Sequence, residues 1–151
     1  MLTKLAGEGG IVEISGGSAL ECFREMLSPL WEKGRIVNLD EAVQALIERE
    51  ELRSTAFGRN TAVPHARIDV RGGDVAMSIG IHRRGLEFNA PDGEFVHVFF
   101  TLISSPSAQN CHLAVLAKIA KLVKTTPFIE NVLKSGSDPL AVLKEEEKKL
   151  S

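Results

Sequence analysis

The chain has 151 residues, 44% hydrophobic and 25% charged, with 18 basic residues against 20 acidic ones and a formal net charge of −2. That length suits one domain whose core buries roughly 70% of the surface of the unfolded chain. The charge balance excludes a general electrostatic attraction to nucleic acid or anionic membranes. No run approaches the eighteen or so apolar residues of a membrane span, the start lacks a signal-peptide hydrophobic region, and Cys22 and Cys111 stand far apart, so a cytoplasmic protein with free thiols is expected.

Residues 1–10 carry three glycines and few large side chains, which predicts a loose start. Ile11, Val12 and Ile14 suit a short strand or extended lead-in, closed by Gly16-Gly17. Ser18-x-x-Glu21 has the spacing of a capping box, in which the two side chains satisfy orphan amides at a helix start. Leu20, Phe23, Leu27, Leu30 and Trp31 give that helix an apolar face, and Lys33-Gly34 ends it. Pro29 is awkward there, since it removes a hydrogen bond in the last turn. A second helix starts at Asn38 or Asp40, buries Val43, Leu46 and Ile47, and runs out through Glu48-Arg49-Glu50-Glu51. Arg49 is thereby placed near a helix end, although such charged turns are most often only solvated.

Thr55 to Arg67 follows, and the chain is organised around it. Gly58 breaks the helical pattern, Ala62 and Val63 form a short apolar rise, and Pro64 fixes its own φ while keeping Val63 extended. His65 comes next, on a backbone with little freedom at the exposed end of a strand. A rigid perch suits a histidine that must meet an incoming group in one orientation. Taken alone, Pro-His more often just ends a strand.

Arg71-Gly72-Gly73-Asp74 is a turn, and Val75, Met77, Ile79 and Ile81 alternate with small residues as a strand. Gly85 to Gly93 is a strand fragment and turn. Phe95 to Ile103 is a nearly continuous apolar run, the pattern of a central strand covered on both faces, with His97 as a structural histidine inside it. A polar loop leads to a helix from about Cys111 to Lys124, with Leu113, Leu116, Ala117, Ala120 and Val123 inward and His112 in or before its first turn. Two short helices, opened by Pro127 and Pro139, finish the chain, and Glu145 to Lys149 reads as a solvated charged end. Strands interspersed with helices and short Gly/Asp turns imply a single α/β layered domain with a mixed sheet.

Several of these pieces occur together in one known family. Arg49-Glu50 before a loop, Phe57-Gly58, Ala62-Val63-Pro64-His65-Ala66, Ala90-Pro91-Asp92-Gly93 and His112-Leu113 stand in the order found in enzyme IIA components of the bacterial phosphotransferase system, and the chain resembles the fructose/mannitol/nitrogen-regulatory type over residues 18–143. Thr61 departs from the family's usual Ile or Val. The resemblance implies a mixed, about five-stranded sheet flanked by helices and one enzyme IIA type-2 domain over residues 1–151. It implies His65 as the residue phosphorylated by the phosphocarrier HPr or its nitrogen-type paralogue, with Arg49 and His112 as site partners. Possible onward partners are an enzyme IIB or regulatory target proteins. No cofactor, metal, nucleic acid or membrane insertion is implied.

The chemistry is sound on its own terms. A neutral imidazole has a lone pair with which to take a phosphoryl group and later release it. Arg49 offers a planar, permanently charged fork to phosphoryl oxygens, His112 can donate a hydrogen bond, and its helix start can favour an anion. No Gly-x-x-x-x-Gly-Lys-Ser/Thr loop is present. Within the family, Pro-His-Ala-Arg with Arg67 two residues past the histidine, and a chain with no fused B or membrane domain, favour nitrogen-type regulation over sugar uptake. A docking module that no longer transfers phosphate is the competing class. A metal site from Cys111, His112 and His65 lacks ligands at metal spacing.

Overall fold

The structure is a computed structural model and describes residues 1–150. Among these residues, six helices and six strands follow in the order α1 (Leu2–Gly9), β1 (Ile11–Ile14), α2 (Ala19–Glu32), α3 (Leu39–Leu52), β2 (Ala56–Gly58), β3 (Thr61–Ala62), β4 (His65–Arg67), β5 (Val75–Leu86), β6 (Val96–Ser104), α4 (Gln109–Thr125), α5 (Phe128–Val132) and α6 (Pro139–Lys148). The strands form one mixed, open sheet of order β1-β5-β6-β3-β2, with β4 also pairing β6. β5 and β6 run antiparallel through the centre, while β1 on β5, and β3 and β4 on β6, are parallel. The expected mixed sheet flanked by helices is therefore present, with six strands where about five were expected.

Helices cover both faces. Phe23, Met26, Leu27 and Leu30 of α2, with Ala42, Val43 and Leu46 of α3, pack on Ala62, Ala66, Ala76 and Phe99. On the other face, Val115, Ile119 and Leu122 of α4, with α1, α5 and α6, pack on Met77, Ile79, Phe100 and Leu102. β6 is covered on both sides, as its unbroken apolar run requires. Ser18 caps α2 by accepting from the Glu21 amide, and Asn38 caps α3 by accepting from the Glu41 amide. Glu21 turns back to the Gly17 amide rather than to that of Ser18. α2 continues through Pro29 to Glu32. The hydroxyl of Thr61 is buried but donates to the Arg59 carbonyl at 3.0 Å, so Thr at this strand position leaves no orphan.

Four expectations need correction. The loose start is instead helix α1, with Leu2 and Ala6 buried. Gly9 serves packing, since a Cβ there would overlap the carbonyl of Met77, whereas Gly7 faces open space. The charged end is not fully solvated either: Glu146 is only 2% exposed and takes Lys149 Nζ at 3.0 Å, and Glu147 is 9% exposed. Leu20 and Trp31 lie on the solvent side of α2, which buries Cys22, Phe23, Met26, Leu27 and Leu30. α4 buries His112, Val115, Ile119, Leu122 and Val123, so its inward face is turned by about one residue from the expected one, and Leu113 is exposed. A hydropathy pattern places no histidine in a core, and leaving out His112 rotated the face.

Glu147 ties the chain's two ends together. Its carboxylate accepts from the amides of Leu2 at 2.7 Å and Thr3 at 2.8 Å, from the Thr3 hydroxyl at 2.7 Å, and lies 3.3 Å from the terminal amine. The first turn of α1 has no side-chain cap of its own, and this carboxylate supplies one from α6. Burial alone would raise its pKa, but these hydrogen bonds outweigh burial and hold it down to about 2. The unfolded chain takes up that proton near 4.5 and the folded one only near 2, so this contribution is complete above about pH 4.5 and is lost as pH falls toward 2. Glu147→Gln is expected to lower stability at neutral pH by about 1–3 kcal/mol and to flatten the acid limb of a denaturant-midpoint titration. An unchanged limb would assign α1 docking to apolar contacts alone.

Candidate functional site

The site lies where β4, α3 and α4 meet at the sheet margin. β3 and β4 form one extended passage along β6, interrupted at Val63-Pro64: Thr61 and Ala62 pair Val98 and Phe99, and His65 and Arg67 pair Leu102 and Ser104. Pro64 has no N–H to offer, but its carbonyl accepts from the Leu102 amide at 2.9 Å, so β6 stays engaged across the break. His65 therefore opens β4 rather than closing a strand. Strand alternation places Ala66 in the α2/α3 core, while His65 and Arg67 share the α4 side with Leu102 and Ser104.

The preceding turn fixes this passage. Gly58, Arg59 and Asn60 all have positive φ, of 94°, 56° and 61°. Asp92 of the Ala90-Pro91-Asp92-Gly93 turn accepts from the Arg59 amide, and Asn60 donates to the Phe95 carbonyl at 2.8 Å. Two of the short motifs singled out in the sequence thus meet here as one structural unit behind the histidine.

His65 Nδ1 lies 2.8 Å from the Val63 carbonyl oxygen. A carbonyl only accepts, so Nδ1 carries the proton and Nε2 keeps the lone pair. Val63 is itself held, its amide donating to the Thr55 carbonyl at 3.1 Å, and Thr55 is held by Glu50, whose carboxylate accepts the Thr55 amide at 2.7 Å and hydroxyl at 2.8 Å. A hydrogen-bonded chain therefore runs from the last turns of α3 to the imidazole. Burial raises the pKa of Glu50, and the Thr55 donors counter it.

Arg49, one residue before Glu50, shares with His65 two adjoining hollows. The first has about 740 Å³ and includes Arg67, His112, Leu52, Leu113 and Leu116; the second includes Arg53, Asn89, Pro91 and Lys124. One guanidinium N–H of Arg49 donates to the Arg53 carbonyl at 2.7 Å, which anchors the fork at the helix end. Among the described residues it has no salt bridge to a carboxylate. The rings of His65 and His112 stand 5.3 Å apart at 59°. His112 is buried in the fourth position of α4, with Nδ1 2.6 Å from Ser104 Oγ, and its own amide is committed to the Ala108 carbonyl.

Both imidazoles are held below the ordinary histidine range. For His65 burial acts first; the bond to Val63 opposes it, and Arg49 and Arg67 push the same way as burial. For His112 burial, then the neighbouring His65 and Arg67, lower the pKa to about 4. Both rings are thus neutral near pH 7 and surrounded by fixed cations, a setting that suits a nucleophilic nitrogen meeting an anion.

The three residues expected at the site, His65, Arg49 and His112, come together. Glu50, Ser104 and Arg67 join them. Glu50 stood in the sequence only as the neighbour of Arg49 in one of the family-like motifs, with no role of its own, and Ser104 carried no usable signal, because their roles come from a loop closure and a strand end. Leu52 and Leu113 are 83% and 52% exposed beside the histidines, an apolar rim at the mouth of the hollow. Cys111 is exposed and lines a different hollow, with α1. Among the described residues no group of three His, Cys, Asp or Glu could hold a metal ion, and no helix is long and apolar enough to cross a membrane.

Comparison with known proteins bears on what this arrangement serves. The family model for the phosphoenolpyruvate-dependent sugar phosphotransferase system, EIIA 2, matches residues 11–145. A fructose-specific EIIABC component of Bacillus subtilis is 25% identical over 114 residues, 76% of this chain but 18% of that much longer protein. A nitrogen regulatory protein of Pseudomonas aeruginosa is 28% identical over 114 residues, 75% of this chain and 73% of its own length. The crystal structure of the nitrogen regulatory protein IIA-Ntr of Neisseria meningitidis superposes with a TM-score of 0.78 at 25% identity, covering 91% of each chain.

The depressed pKa of His112 sets a pH dependence. Unfolded, it binds a proton near 6.5; folded, only near 4, so its contribution is complete above about pH 6.5 and is lost as pH falls toward 4. Urea-denaturation midpoints are expected to fall through that window, and His112→Asn to flatten the fall. Equal slopes in both proteins would mean that His112 is protonated in the fold.

Proposed function

Since the chain belongs to the type-2 EIIA family of the phosphoenolpyruvate-dependent sugar phosphotransferase system, we propose that it is a phosphotransfer component accepting phosphate on Nε2 of His65. The observation that carries this is the Nδ1–H bond to the Val63 carbonyl, which leaves Nε2 as the nitrogen with a lone pair. The donor is a phosphohistidine on the carrier HPr or its nitrogen-type paralogue. As Nε2 attacks, the P–N bond to the carrier breaks, the carrier imidazole leaves with the electron pair, and a P–Nε2 bond forms. The positive charge that develops on the His65 ring is met at Nδ1–H by the Val63 carbonyl. The transferring group carries its charge on equatorial oxygens, and Arg49 supplies a preorganised fork for them. His112 donates a further hydrogen bond. Onward transfer reverses these steps toward an enzyme IIB, or the phosphorylation state is read by a regulatory target, in the cytoplasm where the carrier acts.

Nitrogen-type regulation is the favoured role. Its support is Arg67, which follows Pro-His-Ala and acts electrostatically on both rings, together with the likeness to the nitrogen regulatory proteins above. Sugar uptake is the second reading, supported by the Bacillus fructose-specific relative, whose name joins A, B and C components. Incubation with phosphorylated HPr, read by intact mass, separates phosphotransfer from a docking module. A single phosphoryl increment, labile in acid, is expected, and it should vanish in His65→Ala while the fold remains. A label that survives His65→Ala or moves to His112 contradicts the assignment.

Arg49→Ala is expected to slow transfer by about 2–4 kcal/mol in the transition state, or roughly 30- to 1000-fold. Its stability should change by under about 1 kcal/mol. Normal transfer with a large stability loss would make Arg49 structural.

A further inference from the structure

Ser104 ends β6, is fully buried, and among the described residues its hydroxyl has one partner, Nδ1 of His112 at 2.6 Å. A serine hydroxyl has one proton to place. At a buried position, leaving that proton unpaired is unfavourable by the desolvation of a polar group. With His112 Nδ1 as its partner, the hydroxyl proton goes there. Nδ1 is then the acceptor, and the proton of the neutral His112 ring must sit on Nε2. The backbone around Ser104 is equally fixed: its carbonyl accepts from the Ile68 amide at 3.1 Å, and it pairs with Arg67 on β4 and Val75 on β5. The serine is thus held by the same strand that positions His65 through Leu102.

We propose that Ser104 is a positioning residue for phosphoryl transfer, which holds His112 in its Nε2–H tautomer so that this ring faces the incoming group as a hydrogen-bond donor. The two imidazoles then have complementary forms. His65 has its proton on Nδ1, tied to Val63, and a lone pair on Nε2; His112 has its lone pair on Nδ1, tied to Ser104, and a proton on Nε2, turned away from Ser104. With ring centres 5.3 Å apart, a phosphoryl group on His65 lies within reach of that donor. With the opposite tautomer, His112 would present a lone pair to an anion and repel it. The inference about transfer rests on His65 being the acceptor; the tautomer does not.

Long-range ¹H–¹⁵N NMR on the resting protein at neutral pH reads the tautomer directly. The expected result is a proton-bearing Nε2 and a bare Nδ1 on His112. In Ser104→Ala that preference should be lost and transfer from phosphorylated HPr slowed about tenfold, the equivalent of one hydrogen bond, with the amide spectrum showing an intact fold. Ser104→Thr, which keeps the hydroxyl, should restore both. A proton on Nδ1 in the resting protein, or a Ser104→Ala variant with unchanged tautomer and rate, overturns the assignment. Should His65 take no phosphate at all, the acceptor reading fails, while the tautomer measurement still decides what Ser104 does.

Discussion

One backbone carbonyl governs this site. Val63 and Pro64 interrupt the passage of β3 and β4 along β6, and in that interruption the Val63 carbonyl is turned to the His65 ring while the Pro64 carbonyl keeps the bond to Leu102. Had residue 63 continued the ladder, its oxygen would be spent on a neighbouring strand and the imidazole would lose the group that selects its tautomer. Proline enforces the break by withholding a donor and holding Val63 extended. Upstream, Thr55 and Glu50 hold Val63 from the other side, so the orientation of the ring is set by the end of α3 as well as by the sheet. Arg49 sits one residue from Glu50, and the contact that fixes the histidine also fixes the helix end that bears the guanidinium.

β6 plays the matching part for the second ring. Leu102 registers His65, and two residues on, the same face of the strand delivers Ser104 to His112. An apolar strand buried on both faces is rigid because any slip would expose its side chains. Two imidazoles are therefore held on fixed backbone and stand neutral in the fields of Arg49 and Arg67, and the local charge pattern favours an arriving anion although the chain as a whole is slightly acidic.

Much of this was legible in the sequence. Pro64-His65 announced a constrained histidine, the run before Ser104 announced a central strand, and Ser18 announced one helix start and Asn38 or Asp40 a second, of which the structure caps the first with Ser18 and the second with Asn38. What stayed hidden depends on contacts between distant residues. Glycines at 7, 9 and 10 suggested looseness, yet Gly9 is there because α1 presses against Met77. The acidic run at the C-terminus looked solvated, yet Glu147 meets amides 144 and 145 positions away. Leu113 looked like core because the buried face of α4 contains a histidine, and its exposure beside His65 makes it part of the mouth of the site instead. Glu50 was marked only as the neighbour of Arg49 and Ser104 not at all, and only the folded geometry gives them partners.

The central claim is that the Val63 carbonyl decides which nitrogen of His65 reacts. The most direct test is the site of the phosphorus itself: ¹⁵N-labelled protein, phosphorylated by its carrier, read by ³¹P–¹⁵N coupling. The account predicts phosphorus bonded to Nε2 of His65, with Nδ1 still protonated and still bonded to Val63. Phosphorus on Nδ1, or on either nitrogen of His112, would contradict it.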